Sequence, residues 1–197
     1  ADSMRGTALQ VAEEASRTLD LISWKAAIPI PERTFSALRT SSRPGQRIAL
    51  EAELAPLGVI GTVLNGCLAA KEGDIDCAVA NWWQAAHKGL PSCWLAHSIG
   101  VAHYAEEPVA ALEWFERACG LGTDTLQTHA ASLALFCLLR LGRIDEARVR
   151  VEALVARHPF HQKLVRIGVL TAADSARRQW FVEHEQRIAG LLAVGEC

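Results

Sequence analysis

The sequence predicts an all-α protein in which helical hairpins stack into an α-solenoid. One short pattern, a turn followed by alanine, a large apolar residue and a small residue, recurs three times between Gly73 and Pro159. Successive copies are offset by 33 and then 36 residues, a period typical of helical repeat proteins. Runs of β-branched residues with the alternation of strands are absent. The predicted unit is therefore a helical hairpin.

The second helix of each hairpin carries the repeated pattern. Its alanines are Ala78, Ala111 and Ala147, and the large residues four positions later are Trp82, Phe115 and Val151. Residues spaced by four and then three positions share one helical face. We therefore expect the alanines at helix–helix contacts, with hairpin turns near Gly73, Glu106 and Gly142.

The first helix of each hairpin precedes its turn. The sequence predicts these helices at Pro56 to Lys71, Ser92 to Ala105 and Asp124 to Leu141. The first two carry Gly66 and Gly100 at matching places. Because a glycine inside a helix costs roughly 1 kcal/mol relative to alanine, its recurrence predicts close helix packing.

The segments outside the three hairpins also show helical patterns. Before Pro56 we expect helices over Thr7 to Lys25, Glu32 to Leu38 and Gln46 to Leu54, with a proline-containing connector and a turn-rich loop between them. After Pro159 the period is lost. Helices over Gln162 to Thr171 and Ser175 to Val194 are expected to cap the solenoid. The second of them would carry Trp180, Ile188, Leu191 and Leu192 on its apolar stripe and Arg177 on its solvent side.

These patterns divide the chain into three parts. Residues 1–55 form a helical extension, residues 56–159 form three repeats at about 56–91, 92–123 and 124–159, and residues 160–197 form the capping helices.

The repeats resemble the tetratricopeptide repeat (TPR) family in their small, turn, alanine and aromatic positions. The matching residues are Gly66, Gly73, Ala78, Trp82, Ala85 and Pro91, then Gly100, Ala111, Phe115 and Ala118, then Gly142, Ala147 and Pro159. The chain departs from the family early in the first helix of each repeat. TPR proteins have a tryptophan there, whereas this chain has Thr62, Ala96 and Ala131. The resemblance implies a concave groove lined by the first helix of each repeat.

Four positions of each first helix would face that groove. The groove residues implied by the resemblance are Val63, Cys67, Trp94, His97, Val101, Tyr104, His129, Ser132, Phe136 and Leu139, with Ile60 and Ala70 beside them. Such a groove would be apolar and aromatic and would suit an extended or helical peptide segment with apolar anchors. The alternative is that Trp94, Tyr104 and Phe136 are core residues.

Charge and composition narrow the classes of partner. The net charge is −2 and the pI is near 6.4, so the basic stripe of a nucleic-acid-binding protein is missing. No uninterrupted apolar run is long enough to cross a bilayer, and the N-terminus lacks the pattern of a signal peptide. We therefore expect a cytoplasmic protein without membrane insertion. Only four of the 20 basic residues are lysine, which favours a bacterial source.

The sequence contains no recognisable catalytic or cofactor signature. Six cysteines occur without a CxxC pair, and the seven histidines do not form a metal-ligand pattern. Gly120 and Gly122 are expected to end a helix and not to bind a nucleotide. Carboxylates such as Asp74 and Asp145 stand at helix starts, where capping explains them. We predict no enzyme activity, no cofactor and no metal.

These features favour a protein–protein interaction module that binds a peptide segment of a partner. The layout also resembles, weakly, the class II chaperones of bacterial type III secretion, which keep translocator proteins soluble. Two alternatives stay open: a regulatory or scaffolding segment of a larger protein, acting within its own chain or as a homodimer, and an enzyme on a helical scaffold.

Overall fold

The computed structural model describes residues 46–90, 92–122 and 124–194. These residues form nine α-helices and no strand, which confirms the all-α prediction for this part of the chain. The predicted helices over residues 7–25 and 32–38 lie outside the described residues. The chain divides into two compact units, Ala1–Gln127 and Thr128–Cys197, and the boundary falls near the start of one helix.

The first unit contains five consecutive helices. They are α1 (Gln46–Leu54), α2 (Val59–Glu72), α3 (Ile75–His87), α4 (Cys93–His103) and α5 (Pro108–Leu121). Each of these helices packs against the next one along the chain. Pro56 was expected to open α2 but lies in a 3₁₀ turn, Ala55–Leu57, because Gly58 with φ of 59° separates that turn from the α-helix.

Glycine and side-chain caps fix the predicted turns. Gly73 adopts the left-handed conformation, with φ of 82°, and ends α2. Asp74 then caps α3, because its Oδ1 accepts a hydrogen bond from the Cys77 backbone N–H at 3.1 Å. Ser92 caps α4 in the same way, accepting from the Leu95 N–H at 3.3 Å. Capping is thus the role of Asp74, as predicted.

The two helix glycines that predicted close packing, Gly66 and Gly100, lie directly against aromatic rings. A Cβ on Gly66 would stand 2.5 Å from Trp82 Nε1, and a Cβ on Gly100 would stand 2.7 Å from Phe115 Cε1. Both rings are buried. The predicted close packing is confirmed, and its cause is an aromatic side chain of the second helix seated on the backbone of the first.

The second unit begins within α6 (Asp124–Arg140). It continues through α7 (Ile144–Arg157), α8 (Gln162–Thr171) and α9 (Ser175–Val194), bounds that agree closely with the prediction. Gly142, with φ of 71°, makes the turn between α6 and α7. Helix α7 packs on α8, and α8 packs on α9. Ala147 and Val151 are fully buried, as are Ala78 and Ala111 in the first unit.

Helices α8 and α9 repeat the glycine–aromatic contact. A Cβ on Gly168 would stand 2.3 Å from Cε1 of the buried Phe181. The expected apolar stripe of α9 is partly wrong: Phe181 and Ile188 are buried, whereas Leu191 is 62% exposed. The two helices predicted as a cap therefore form a hairpin. Like the α2–α3 and α4–α5 hairpins, it packs an aromatic ring of its second helix on a glycine of its first helix.

Candidate functional site

An aromatic row crosses the α4–α5 hairpin of the first unit. Trp94 and His97 come from the predicted groove face of α4, Tyr104 directly follows α4, and Phe115 comes from α5. The ring centroids are 6.5 Å apart for Trp94 and His97, 5.8 Å for His97 and Phe115, and 6.4 Å for Phe115 and Tyr104. These distances lie in the range of aromatic packing.

The row is buried in its centre and partly exposed at both ends. Only 1% of the surface of His97 is exposed to solvent and none of the surface of Phe115, whereas Trp94 and Tyr104 are half-buried. The central pair therefore belongs to the core. The end rings are held by packing on one side and reach solvent on the other, which suits them to contact a partner.

The predicted groove residues of α2 belong to the core. The solvent-exposed fraction is 1% for Val63 and 0% for Cys67. Burial raises the pKa of the Cys67 thiol to about 12, a shift that a hydrogen bond with Trp82 and the charge of Lys71 only partly oppose. A thiol in this state is protonated at neutral pH and is a poor nucleophile.

In the second unit, some of the predicted groove residues of α6 are half-buried and one is fully buried. His129, Phe136 and Leu139 are half-buried. Ser132 is buried, and its Oγ donates a hydrogen bond to the Thr128 carbonyl oxygen at 2.9 Å. Ser132 is therefore satisfied within its own helix.

Burial thus corrects half of the predicted groove. The five residues whose side chains are covered are Val63, Cys67, His97, Val101 and Ser132. A covered side chain cannot contact a partner, so these residues pack helices together. Neighbouring helices occupy much of the helical face that the resemblance implied as a groove.

The described residues contain no group of three His, Cys, Asp or Glu side chains that could hold a metal ion. Cys67, Cys77, Cys93, Cys119 and Cys137 form no disulfide within the described residues. Burial raises the pKa of Cys137 to about 11, and Cys93 Sγ donates to the Ala118 carbonyl oxygen at 3.2 Å. The thiols of Cys67, Cys93 and Cys137 therefore fill space in the helical core, whereas Cys77 and Cys119 are half-buried.

Two exposed aromatic residues were not predicted from the sequence: Phe160, with 69% of its surface exposed, and Trp83. Trp83 stands next to the buried Trp82, and 50% of its surface is exposed. The signal was available, because adjacent residues on a helix point about 100° apart and cannot both face the same neighbouring helix.

No known protein family, curated protein or solved structure matches the chain. Among the helices of the described residues, none is long and apolar enough to cross a membrane.

Proposed function

We propose that the protein is a TPR-like protein–protein interaction module. Its binding surface is the exposed part of the aromatic row in the first unit, Trp94 and Tyr104, and its ligand is a peptide segment with apolar anchor residues. The observation that carries the proposal is that two large aromatic side chains remain accessible at the ends of a row whose centre is fixed in the core.

The row has the properties of an interaction hot spot. Tryptophan and tyrosine contribute most of the binding energy at many interfaces, because their large rings lose little side-chain entropy when a partner covers them. Trp94 packs edge-on to His97, and Tyr104 packs against Phe115, so both rings are positioned before a partner arrives. Preorganisation of this kind lowers the cost of binding.

The chemistry of the surface favours an apolar ligand. Helix α4, CWLAHSIGVAH, contains no acidic residue, lysine or arginine. A segment that presents one or two apolar side chains would therefore meet complementary surface without leaving a charge unpaired. If the protein is a secretion chaperone, this ligand is a hydrophobic segment of a translocator protein.

The packing of the helices supports a repeat architecture. The α2–α3, α4–α5 and α8–α9 hairpins each place an aromatic ring on a glycine of the preceding helix. The proposed module is not an enzyme. The raised pKa values of Cys67 and Cys137 support this part of the proposal, because they hold both thiols in the unreactive protonated form.

A selection from a displayed library of random peptides tests the proposal. The immobilised wild-type protein should enrich peptides with apolar anchors, and the Trp94→Ala and Tyr104→Ala variants should retain them at least about tenfold less well. Phe160→Ala is the matched control, because it removes an exposed aromatic side chain that is not in the row. Equal retention by wild type and Trp94→Ala would contradict the proposal.

A further inference from the structure

A surface pocket of about 490 Å³ lies beside Trp83 in the first unit. Its apolar wall comes from α3, through Ile75, Val79 and Trp83, and its opposite side comes from the end of α4 and the turn that follows. The volume falls within the range of roughly 300–1,000 Å³ that is usual for ligand pockets. No ring of the aromatic row lines it, so this pocket, the Trp83 pocket, is separate from the row.

The indole of Trp83 is stacked with one neighbouring ring and is only partly covered. The His87 imidazole stacks on it, with ring centroids 3.6 Å apart and an interplanar angle of 29°. The His87 Nδ1 atom also lies 2.9 Å from the Trp83 carbonyl oxygen. His87 is not part of the pocket lining, so the pocket meets the portion of the indole that His87 leaves uncovered. Half of the surface of Trp83 stays exposed in the folded protein.

The remainder of the lining is acidic. Asp76, Glu106 and Glu107 all border the pocket and are exposed, and His103 is its one basic residue. The His103 Nδ1 atom lies 2.8 Å from a Glu107 carboxylate oxygen, so this pair accounts for one carboxylate. Asp76 and Glu106 have no ion-pair partner within the described part of the chain. The pocket thus combines an exposed aromatic side chain with two carboxylates that pair with no described residue.

We propose that the Trp83 pocket binds an arginine side chain of a partner peptide, with an apolar neighbour of that arginine seated against Ile75 and Val79. A guanidinium is flat and weakly hydrated, so it stacks on an aromatic face while its edge donates to carboxylates. Among the natural cationic side chains, arginine matches the indole and the carboxylates best. Lysine has the charge but remains more strongly hydrated and cannot stack.

Charge complementarity distinguishes this occupant from others. A wholly apolar segment would desolvate Asp76 and Glu106 without giving either carboxylate a partner, which is costly. An acidic segment would be repelled. A basic segment with an apolar neighbour matches both parts of the lining, and its attraction should weaken with salt because the carboxylates are exposed.

Titration of the whole chain with short synthetic peptides tests the proposal. The probe is acetyl-Ala-Leu-Arg-Leu-Ala-amide, and its matched control replaces arginine by citrulline, which has nearly the same shape without the charge. NMR of the ¹⁵N-labelled protein reports the tryptophan indole N–H signals, and the Trp83 signal is identified by its absence in Trp83→Phe. We expect the arginine peptide to shift the Trp83 signal and to bind at least about tenfold more tightly than the citrulline peptide.

Variants assign the two halves of the pocket. Glu106→Gln should weaken the arginine peptide several-fold, and Trp83→Ala should abolish saturable binding. Glu113→Gln, which removes an exposed carboxylate outside the pocket, is the control and should change nothing. Because the exposed Glu106 carboxylate makes no hydrogen bond or ion pair with the described residues, its variant tests the proposal even if Trp83→Ala were unstable.

Three results would overturn the proposal. They are equal affinity for the arginine and citrulline peptides, an unchanged affinity at about 0.5 M salt, and a shift of the Trp94 signal in place of the Trp83 signal. Self-association that protects the Trp83 signal without added peptide would also overturn it, by showing that a second copy of the chain occupies the pocket. Failure here leaves the proposed role of the aromatic row intact, since that role is tested by Trp94→Ala.

Discussion

The ring of Phe115 lies on the backbone of Gly100, so close that a Cβ on the glycine would stand 2.7 Å from Cε1 and 2.8 Å from Cδ1. This contact sets how near α4 and α5 can approach. It also connects the core to the candidate site, because Phe115 packs against both His97 and Tyr104 in the aromatic row.

Replacement of Gly100 by alanine should destabilise the protein even though alanine is the better helix former. The added methyl group would force Phe115 aside, and overpacking of this kind costs about 1–3 kcal/mol, against a helix-propensity gain of roughly 1 kcal/mol. We expect a lower free energy of unfolding in urea, together with a changed near-ultraviolet circular dichroism signal from the row.

Gly190→Ala is the control for this substitution. Gly190 lies in α9 with no heavy atom near the position of its missing Cβ, so alanine there should be neutral or stabilising. Equal effects of the two substitutions would show that the close contact at Gly100 does not constrain the fold.

Ala147 should not tolerate leucine. Its side chain has no exposed surface, so the larger residue should overpack the site and cost about 1–3 kcal/mol. Ala153→Leu, on the exposed face of the same helix, should lie within about 0.5 kcal/mol of wild type. Urea unfolding of both variants measures this difference, and a loss no larger at Ala147 than at Ala153 would mean that the repeated alanine is not a packing position.

Stability should fall at high pH because of the Cys67 thiol. Burial raises its folded pKa from 9.0 to about 12. Below about pH 9 the Cys67 thiol keeps its proton in both the folded and the unfolded state. Between about pH 9 and pH 12 only the unfolded state releases it, so the free energy of unfolding decreases by up to about 1.4 kcal/mol per pH unit for this thiol.

Unfolding in urea at about pH 8 and about pH 10.5 tests the contribution of the thiol. Cys67→Ala should lose less stability than wild type between the two values. Val63→Ala, which truncates a buried neighbour that does not titrate, should keep the wild-type pH dependence. Identical pH dependence for wild type and Cys67→Ala would contradict the assignment.

The local pattern predicted the hairpins because their determinants lie close together in the sequence. Gly73 and Gly142 have the positive φ that the predicted turns require, and Ala78 is fully buried. The likeness of the α8–α9 hairpin to the α2–α3 and α4–α5 hairpins was missed because Arg177 and His184 stand where both of those hairpins have alanine. Only the relation between a helical glycine and an aromatic ring is shared, and one such pair is too weak a signal in a sequence.

The groove was predicted less well because periodicity identifies a helical face and not what covers it. Cys67 and Val101 occupy the predicted face as Trp94 does, yet both are buried. Arg177 gives the opposite case. It was expected on the solvent side of α9, but its guanidinium pairs with Glu152 and its Cζ atom lies 4.2 Å from the centroid of the Trp180 ring. Such contacts depend on tertiary neighbours.

The most direct test of the account compares the peptide affinity and the stability of Trp94→Ala with those of wild type and Phe115→Ala. Trp94 is half-buried and Phe115 has no exposed surface, so Trp94→Ala should lose about 1 kcal/mol of stability and Phe115→Ala about 3–5 kcal/mol. For a peptide selected on the wild-type protein, Trp94→Ala should nevertheless bind at least about tenfold more weakly. A Trp94→Ala variant that binds that peptide with unchanged affinity, or that unfolds as readily as Phe115→Ala, would contradict the account.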